Sequence, residues 1–300
     1  VWLGMLTWPI ISFGWIINLV QRASASMKRI NQIMDEIPEI LDTDICDTSI
    51  NEIHGEIEFR NVSFAYDDKP VLNNITFHIK PGKTLAIIGP TGSGKTTLVN
   101  LIPRLIDPTT GNIFIDGHDI RSIPLQVLRK NIGLVPQESF LFSETIEENI
   151  TFGKENTDPK EIEQAAQIST ILDDLIKFPD KFQTLIGERG VNLSGGQKQR
   201  TAISRALLRQ PRILIFDDAL SSVDTYTEEN ILTNLRQLGE LQTKIIISHR
   251  ISSIKHADLI LVLKNGRIIE QGTHEQLIKK DGFYAELYKQ QLLEQALEEM

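Results

Sequence analysis

A chain of 300 residues with 41% hydrophobic and 24% charged residues has the composition of an ordinary globular protein and is long enough for one large domain or two modest ones. A net charge of −9 and a pI near 5.3 argue against a nucleic-acid binder, because phosphate contacts call for a basic face. The one cysteine, Cys46, cannot form an internal disulfide, which fits a reducing compartment, and it is given no role.

In chain order, the first twenty residues, VWLGMLTWPIISFGWIINLV, carry no charge, and the first residue is Val rather than Met, as in a chain cut from something longer. About 20 apolar residues suffice for a membrane-spanning helix, and Trp2, Trp8 and Trp15 suit its interfaces, so residues 1–21 are expected to be the end of a transmembrane helix. A secretory signal would begin with basic residues, whereas here Arg22, Lys28 and Arg29 follow the apolar part and place the downstream chain on the cytosolic side. Ile30, Ile33, Met34 and Ile37 recur at helical spacing until Pro38, so residues 22–54 read as a helix extension followed by a polar linker. No internal repeat is evident.

From Gly55 to the C-terminus, β-rich runs alternate with helical stretches, the pattern of an α/β domain over residues 55–300. EIEFRNVSFAY, NITFHI and KTLAII are the first strands. Then Gly89, Pro90, Thr91, Gly92, Ser93, Gly94, Lys95, Thr96 and Thr97 follow a strand and precede the helical run TLVNLIPRLI, the setting in which this pattern is a P-loop. Glycines let backbone N–H groups close around phosphate oxygens, and the following helix turns its positive end to the anion. Lys95 is placed to neutralise β- and γ-phosphate charge, and the Thr96 hydroxyl to reach Mg²⁺.

Further along, RILIF is a buried-strand run with Asp217 at its carboxyl end, where open α/β sheets bind ligands, so Asp217 is the expected Mg²⁺ holder. Upstream of it, LSGGQ (193–197) opens the helical run KQRTAISRALLRQ, and Ser194, Gly195 and Gly196 form a second helix-start anion site that the chain's own P-loop does not need.

These motifs together resemble the nucleotide-binding domain of an ATP-binding cassette (ABC) transporter, whose signature is LSGGQ, and the match runs through most of the chain from Gly55 onward. The resemblance implies a P-loop NTPase fold with a RecA-like core, an antiparallel β-subdomain and an α-helical signature subdomain. It implies ATP and Mg²⁺ as cofactors and ATP hydrolysis coupled to export as the activity. By the same resemblance Tyr66 stacks on adenine, Gln137 reaches Mg²⁺ and responds to the membrane domain, and His249 touches the γ-phosphate. Ser194, Gly195, Gly196 and Gln197 would cap ATP held by the opposite subunit, and Asp224 would cross to that partner. Glu188 and Arg189 are the implied contacts to coupling helices of the membrane domain. WPIISFGWIINLVQRASASMKRI is further similar to the last membrane helix and linker of bacterial multidrug exporter half-transporters. The implied setting is the cell membrane and its lipid bilayer, with the cassette on the cytoplasmic side of a multi-pass parent protein. Its partners would be its own membrane domain, a second half-transporter and a drug- or lipid-like substrate.

One position departs from the family, in which the residue after the metal-binding Asp is a Glu that polarises the attacking water. Here it is Asp218, whose shorter carboxylate holds water poorly, while Lys95, LSGGQ and His249 remain intact. The combination is familiar in heterodimeric exporters, so an asymmetric heterodimer with a weakened site on this chain is favoured. The alternatives are a homodimer in which Asp218 is the working base, or a regulatory ATP-binding subunit that does not hydrolyse. A soluble ABC ATPase of translation or repair would carry two cassettes or a coiled-coil insertion, and a Ras-like GTPase would carry Asn-Lys-x-Asp; neither pattern occurs. The tail FYAELYKQQLLEQALEEM reads as a final amphipathic helix, packed on the domain or against its twin.

Overall fold

The computed structural model describes residues 2–154, 156–187, 192–238 and 242–298, so Glu188 and Arg189 lie outside the described residues. The chain divides into two units, Val1–Leu41 and Asp42–Met300.

The first unit is built on one long helix, α1 (Trp2–Met34), which runs unbroken from the apolar segment into the basic one and contains Pro9. Among the described residues no helix is long and apolar enough to cross a membrane.

The second unit begins at Asp42, earlier than the expected start at Gly55. The supposed linker is tied in by the Leu125 N–H donating to the Asp42 carboxylate at 2.9 Å and by Ile50 and Ile53, which are buried in the core. In chain order its first half contains β1 (Ile57–Tyr66), β2 (Lys69–Ile79), β3 (Thr84–Ile88), α2 (Lys95–Asn100), β4 (Thr110–Ile115), β5 (His118–Asp119), α3 (Leu125–Lys130) and β6 (Ile132–Val135). A helical stretch follows, with α4 (Ile146–Thr151), α5 (Pro159–Ile168), α6 (Leu172–Leu175) and α7 (Gly195–Leu208). The chain then returns through β7 (Ile213–Asp217), α8 (Thr225–Gln237), β8 (Thr243–Ile247), α9 (Ile251–Ile254), β9 (Leu259–Lys264), β10 (Arg267–Gly272), α10 (His274–Lys280) and α11 (Phe283–Glu298).

Two sheets result: a four-stranded antiparallel one, β2-β1-β4-β5, and a six-stranded one, β10-β9-β3-β8-β7-β6, parallel except for β10. The parallel strands are apolar on both faces, as a sheet covered on both sides must be. Because side chains alternate along a strand, Ile213 and Ile215 of β7 join a core with the antiparallel sheet and α2, while Leu214 and Phe216 join another with α4, α5, α7 and α8.

β2 starts earlier than the NITFHI run because its pairing with β1 continues through Phe64↔Leu72 to Tyr66↔Lys69. The connection is made by Asp67 and Asp68, both at positive φ (42° and 61°), as a tight hairpin turn whose twist matches the strands requires. Pro70 is accommodated because β2 is a sheet edge.

Candidate functional site

Parallel alignment brings separate loops together at one edge of the sheet. β3, β8, β7 and β6 lie side by side, so the P-loop after β3, His249 after β8, Asp217 and Asp218 at the end of β7, and Gln137 after β6 all leave from carboxyl ends. Tyr66, at the end of β1, arrives from the antiparallel sheet. These chain segments line a cavity of about 360 Å³ whose walls include Tyr66, Thr91, Gly92, Gly94, Lys95, Thr96, Thr97, Gln137, Asp217, Asp218 and His249. Val71 and Ile247 also line it and were not anticipated; they are apolar strand residues with no chemical signal of their own. Ser194, Gly195, Gly196 and Gln197 are not among its lining residues.

The P-loop needs glycine for steric reasons. At Gly94, the residue that opens α2 at φ 99°, a Cβ would sit 2.8 Å from a Leu72 methyl and 3.2 Å from the Val71 carbonyl, because β2 lies against the loop. At Gly89 a Cβ would collide with the Leu263 carbonyl at 2.0 Å. Lys95 is 8% exposed and donates from Nζ to the Gly89 and Pro90 carbonyls, each at 2.9 Å. Its ammonium therefore stands inside the curl of the loop. Burial pushes its pKa down, and Asp218 and Asp217 pull it back up.

Asp217 is buried, with the Thr96 side chain beside it. Burial pushes the Asp217 pKa up, Thr96 opposes this, neighbouring Asp218 adds to it, and Lys95 opposes it. Asp218 is also raised by burial, against the pull of His249, Lys95 and Arg250. Its backbone is at φ 50°, with its N–H donating to the Ile247 carbonyl at 3.1 Å, so the second aspartate turns off the strand in the left-handed region. Short polar residues tolerate that region better than long ones. Tyr66 stands at the cavity edge, 47% exposed, its ring meeting that of Phe64 at a right angle.

A raised carboxylate pKa in the folded state means that its contribution to stability is present below the unfolded pKa and is lost as pH rises through the folded value. Asp217 therefore costs stability at pH values where it is ionised. Asp217→Asn is expected to raise the Tm of the nucleotide-free protein at pH 7 by roughly 2–4 °C, with the gain shrinking as pH falls toward ~4. Thermal denaturation across pH checks this; no change in Tm at pH 7 would show that Asp217 is already neutralised.

The signature segment forms its own structure. Ser194 caps α7 by accepting from the Gln197 N–H at 3.2 Å, and the Gln197 side chain accepts from the Ser194 N–H at 3.0 Å, a reciprocal box. Gly196 presses on the loop after β7, where a Cβ would lie 2.9 Å from the Ser222 carbonyl. Buried Gln199 holds the same loop, its Oε1 accepting from the Ser222 N–H at 3.0 Å and its Nε2 donating to the Ser221 hydroxyl at 3.3 Å. Asp224 caps α8 by accepting from the Thr227 N–H at 2.9 Å. From α7 and α8 the connection continues to His249, because Arg250 donates to the Val223 carbonyl at 3.2 Å and to the Glu228 carboxylate at 2.5 Å. Ser253 hydrogen-bonds the other oxygen of Glu228. No motif in the sequence marks Gln199, Glu228 or Arg250; only packing reveals them.

The residues fit a nucleoside triphosphate and its metal. The cavity volume suits a small ligand. Ser93 Oγ is buried without a hydrogen-bond partner, and Lys95 holds a buried cation in a ring of backbone. Among the described residues no cluster of three or more His, Cys, Asp or Glu could hold a metal alone. A hard cation would instead combine Thr96, Asp217 and Gln137 with phosphate oxygens and water, as Mg²⁺ in such sites does.

A phosphate-cradling loop between a parallel strand and a helix, with an acidic strand end beside it, defines the class of P-loop nucleotide-binding domains. The family model described as "ABC transporter" matches residues 72–221, half of the chain. The chain belongs to the ABC transporter family, as its ATP-binding ATPase domain. It is 44% identical over 290 residues to the ATP-dependent lipid A-core flippase of Syntrophus aciditrophicus (strain SB), with 97% of this chain and 48% of that protein covered. It is 42% identical over 300 residues to the multidrug resistance-like ATP-binding protein MdlA of Escherichia coli (strain K12), with 99% of this chain and 50% of that protein covered. Among solved structures, a bacterial Atm1-family ABC exporter with ATP bound superposes with a TM-score of 0.85 at 39% identity, covering 91% of this chain and 48% of that one. The chain thus spans about half the length of the relatives it matches.

Proposed function

We propose that this cassette powers export of a drug- or lipid-like substrate from the cytoplasmic side of the cell membrane, as one arm of an asymmetric pair of half-transporters. One observation carries the reading: Tyr66, Lys95, Thr96, Gln137, Asp217, Asp218 and His249 share a cavity that the chain's own signature residues do not line. A site built this way is completed from outside, and the chain's Ser194, Gly195, Gly196 and Gln197 are then free to complete the site of a partner. The exporter reading is supported by the relatives, among them a lipid A-core flippase and multidrug resistance proteins that are about twice as long as this chain. A groove of about 270 Å³ walled by Leu134, Phe140, Phe152, Arg205 and Arg209 supports docking of a segment of the membrane domain.

In this reading Tyr66 stacks on adenine, the P-loop amides and Lys95 hold the phosphates, and Thr96, Gln137 and Asp217 hold Mg²⁺, which supplies charge neutralisation when bound. Asp218 orients and deprotonates water, and His249 supports the γ-phosphate. With little covalent chemistry for the protein to do, rate follows from position and charge. The Asp218 carboxylate stops roughly one methylene short of a glutamate, so this site is slow. Burial keeps Asp218 more basic than an ordinary aspartate, which supports slow turnover over none. The weak base beside an intact signature favours a heterodimer whose partner carries the full-length base.

The experiment compares the full-length protein alone with the protein joined to a half-transporter carrying Asp-Glu at the corresponding place. Alone, it is expected to hydrolyse ATP at least ~10-fold more slowly than the pair. Brisk hydrolysis and transport by the purified protein alone would overturn the asymmetric assignment in favour of a homodimer.

A further inference from the structure

His249 stands on a short loop between β8 and α9, within which the Ser248 hydroxyl accepts from the Arg250 N–H at 3.0 Å but no side chain reaches the first N–H groups of α9. Helix α9 has four residues, Ile251–Ile254, and its capping residue Arg250 provides no side-chain hydrogen bond to it. The first N–H groups of a helix have no partner within it. The partner for one of them comes from the other end of the domain. Gln291 of α11 accepts from the Ile251 N–H through Oε1 at 2.8 Å and donates from Nε2 to the His249 carbonyl at 2.6 Å.

Helix α11 is anchored well enough to act as a reference frame. The Glu270 carboxylate accepts from the N–H groups of Phe283 and Tyr284 at 2.7 and 3.3 Å, a negative charge at the helix start. Tyr284 is fully buried, and its hydroxyl hydrogen-bonds His274 Nδ1 at 2.8 Å. Tyr284, Tyr288 and Gln291 recur at i, i+4 and i+7, one face of the helix. Tyr288 packs partly buried on the core, and Gln291 is half-buried between exposed Gln290 and Leu292. The face that buries Tyr284 therefore aims Gln291 at the histidine loop.

We infer that Gln291 is a positioning residue for ATP hydrolysis: its amide, clamped across the backbone of His249 and Ile251, sets where the His249 side chain stands in the nucleotide cavity. The inference rests on the proposed role of His249. From the other side the Arg250 side chain fixes the same loop to Val223 and Glu228, so the loop is held between α8 and α11. Arg250 restrains a side-chain anchor, whereas Gln291 holds the main chain from which His249 projects. A displacement of ~1 Å in a catalytic group costs on the order of 10²-fold in rate, and loosening one of the loop's anchors should cost part of that.

The test uses the full-length protein in its native pairing, with hydrolysis read at the Lys95 site while the partner's site is silenced. Gln291→Ala removes both hydrogen bonds. Gln291→Glu keeps the length and the acceptor for Ile251 but cannot donate to the His249 carbonyl and sets a negative charge against it. Both variants are expected to lower kcat about 10-fold with KM for ATP unchanged within ~2-fold. In a His249→Ala background neither should lower kcat further. Lys289→Ala breaks an exposed ion pair with Asp281 on the same helix and serves as the control that leaves kcat unchanged. Unaltered kcat in both Gln291 variants, or a loss that persists undiminished without His249, overturns the inference. If His249→Ala itself leaves kcat unchanged, the role given to His249 fails, and the positioning role fails with it.

Discussion

Asp218→Glu is expected to speed hydrolysis at the Lys95 site by ~10- to 10²-fold when the chain is paired with its partner. The missing methylene withdraws the carboxylate by roughly one bond length, ~1.5 Å. Every other group of the site is present in the cavity, including Lys95, Asp217, Gln137 and His249, so position is what the substitution restores. The backbone at φ 50° favours the shorter residue, and a longer one in the left-handed region costs up to ~1–2 kcal/mol. A faster but slightly less stable variant is the expected signature, read from single-turnover hydrolysis and thermal denaturation together. Because burial raises the Asp218 pKa, the acid limb of the wild-type rate profile should lie above the ordinary carboxylate value of ~3.9. If Asp218→Glu leaves the rate unchanged, the shortened base is not what limits this site.

Lys95→Ala should weaken ATP binding at this chain's own site by about 10²- to 10³-fold, the loss that follows when one partner of a buried charged contact is truncated. Nζ donates to the Gly89 and Pro90 carbonyls, so the ammonium is already seated in the loop that is to receive phosphate. Its pKa is lowered by burial, and an incoming anion would stabilise the charge that burial disfavours. Equilibrium binding of a fluorescent ATP analogue, with the partner's site blocked, measures the loss. Unchanged affinity would remove the P-loop from the nucleotide site.

Several parts of the candidate site were legible in the sequence because their chemistry is local. The P-loop is a contiguous segment whose glycines, lysine and threonine work within one turn of backbone. Asp217 was legible because a buried-strand run ends there, and LSGGQ because a serine cap and two glycines open a helix. The hairpin turn at Asp67 and Asp68 was not read, although two short polar residues before β2 are chemically suited to positive φ. The apolar residues 1–21 continue into the basic stretch as one helix, Trp2–Met34, because no helix-breaking turn separates the two. Ile50 and Ile53 reach the core from a stretch whose polar neighbours look like linker, a contact that local composition does not show.

By itself the sequence determined which segments carry the candidate chemistry: a P-loop, two aspartates at a strand end and a serine-capped, glycine-rich helix start, each encoded by neighbours in the chain. Which of these meet was decided only in the tertiary structure. Parallel strands brought Gln137, Asp217, Asp218 and His249 to one edge beside the P-loop, and kept Ser194, Gly195, Gly196 and Gln197 off the cavity wall. Tertiary packing alone set Gln291 against the His249 carbonyl across 42 residues of chain. The reason is that a backbone clamp needs only an amide at the right place, and a glutamine on a helix face leaves no pattern until the helix is docked.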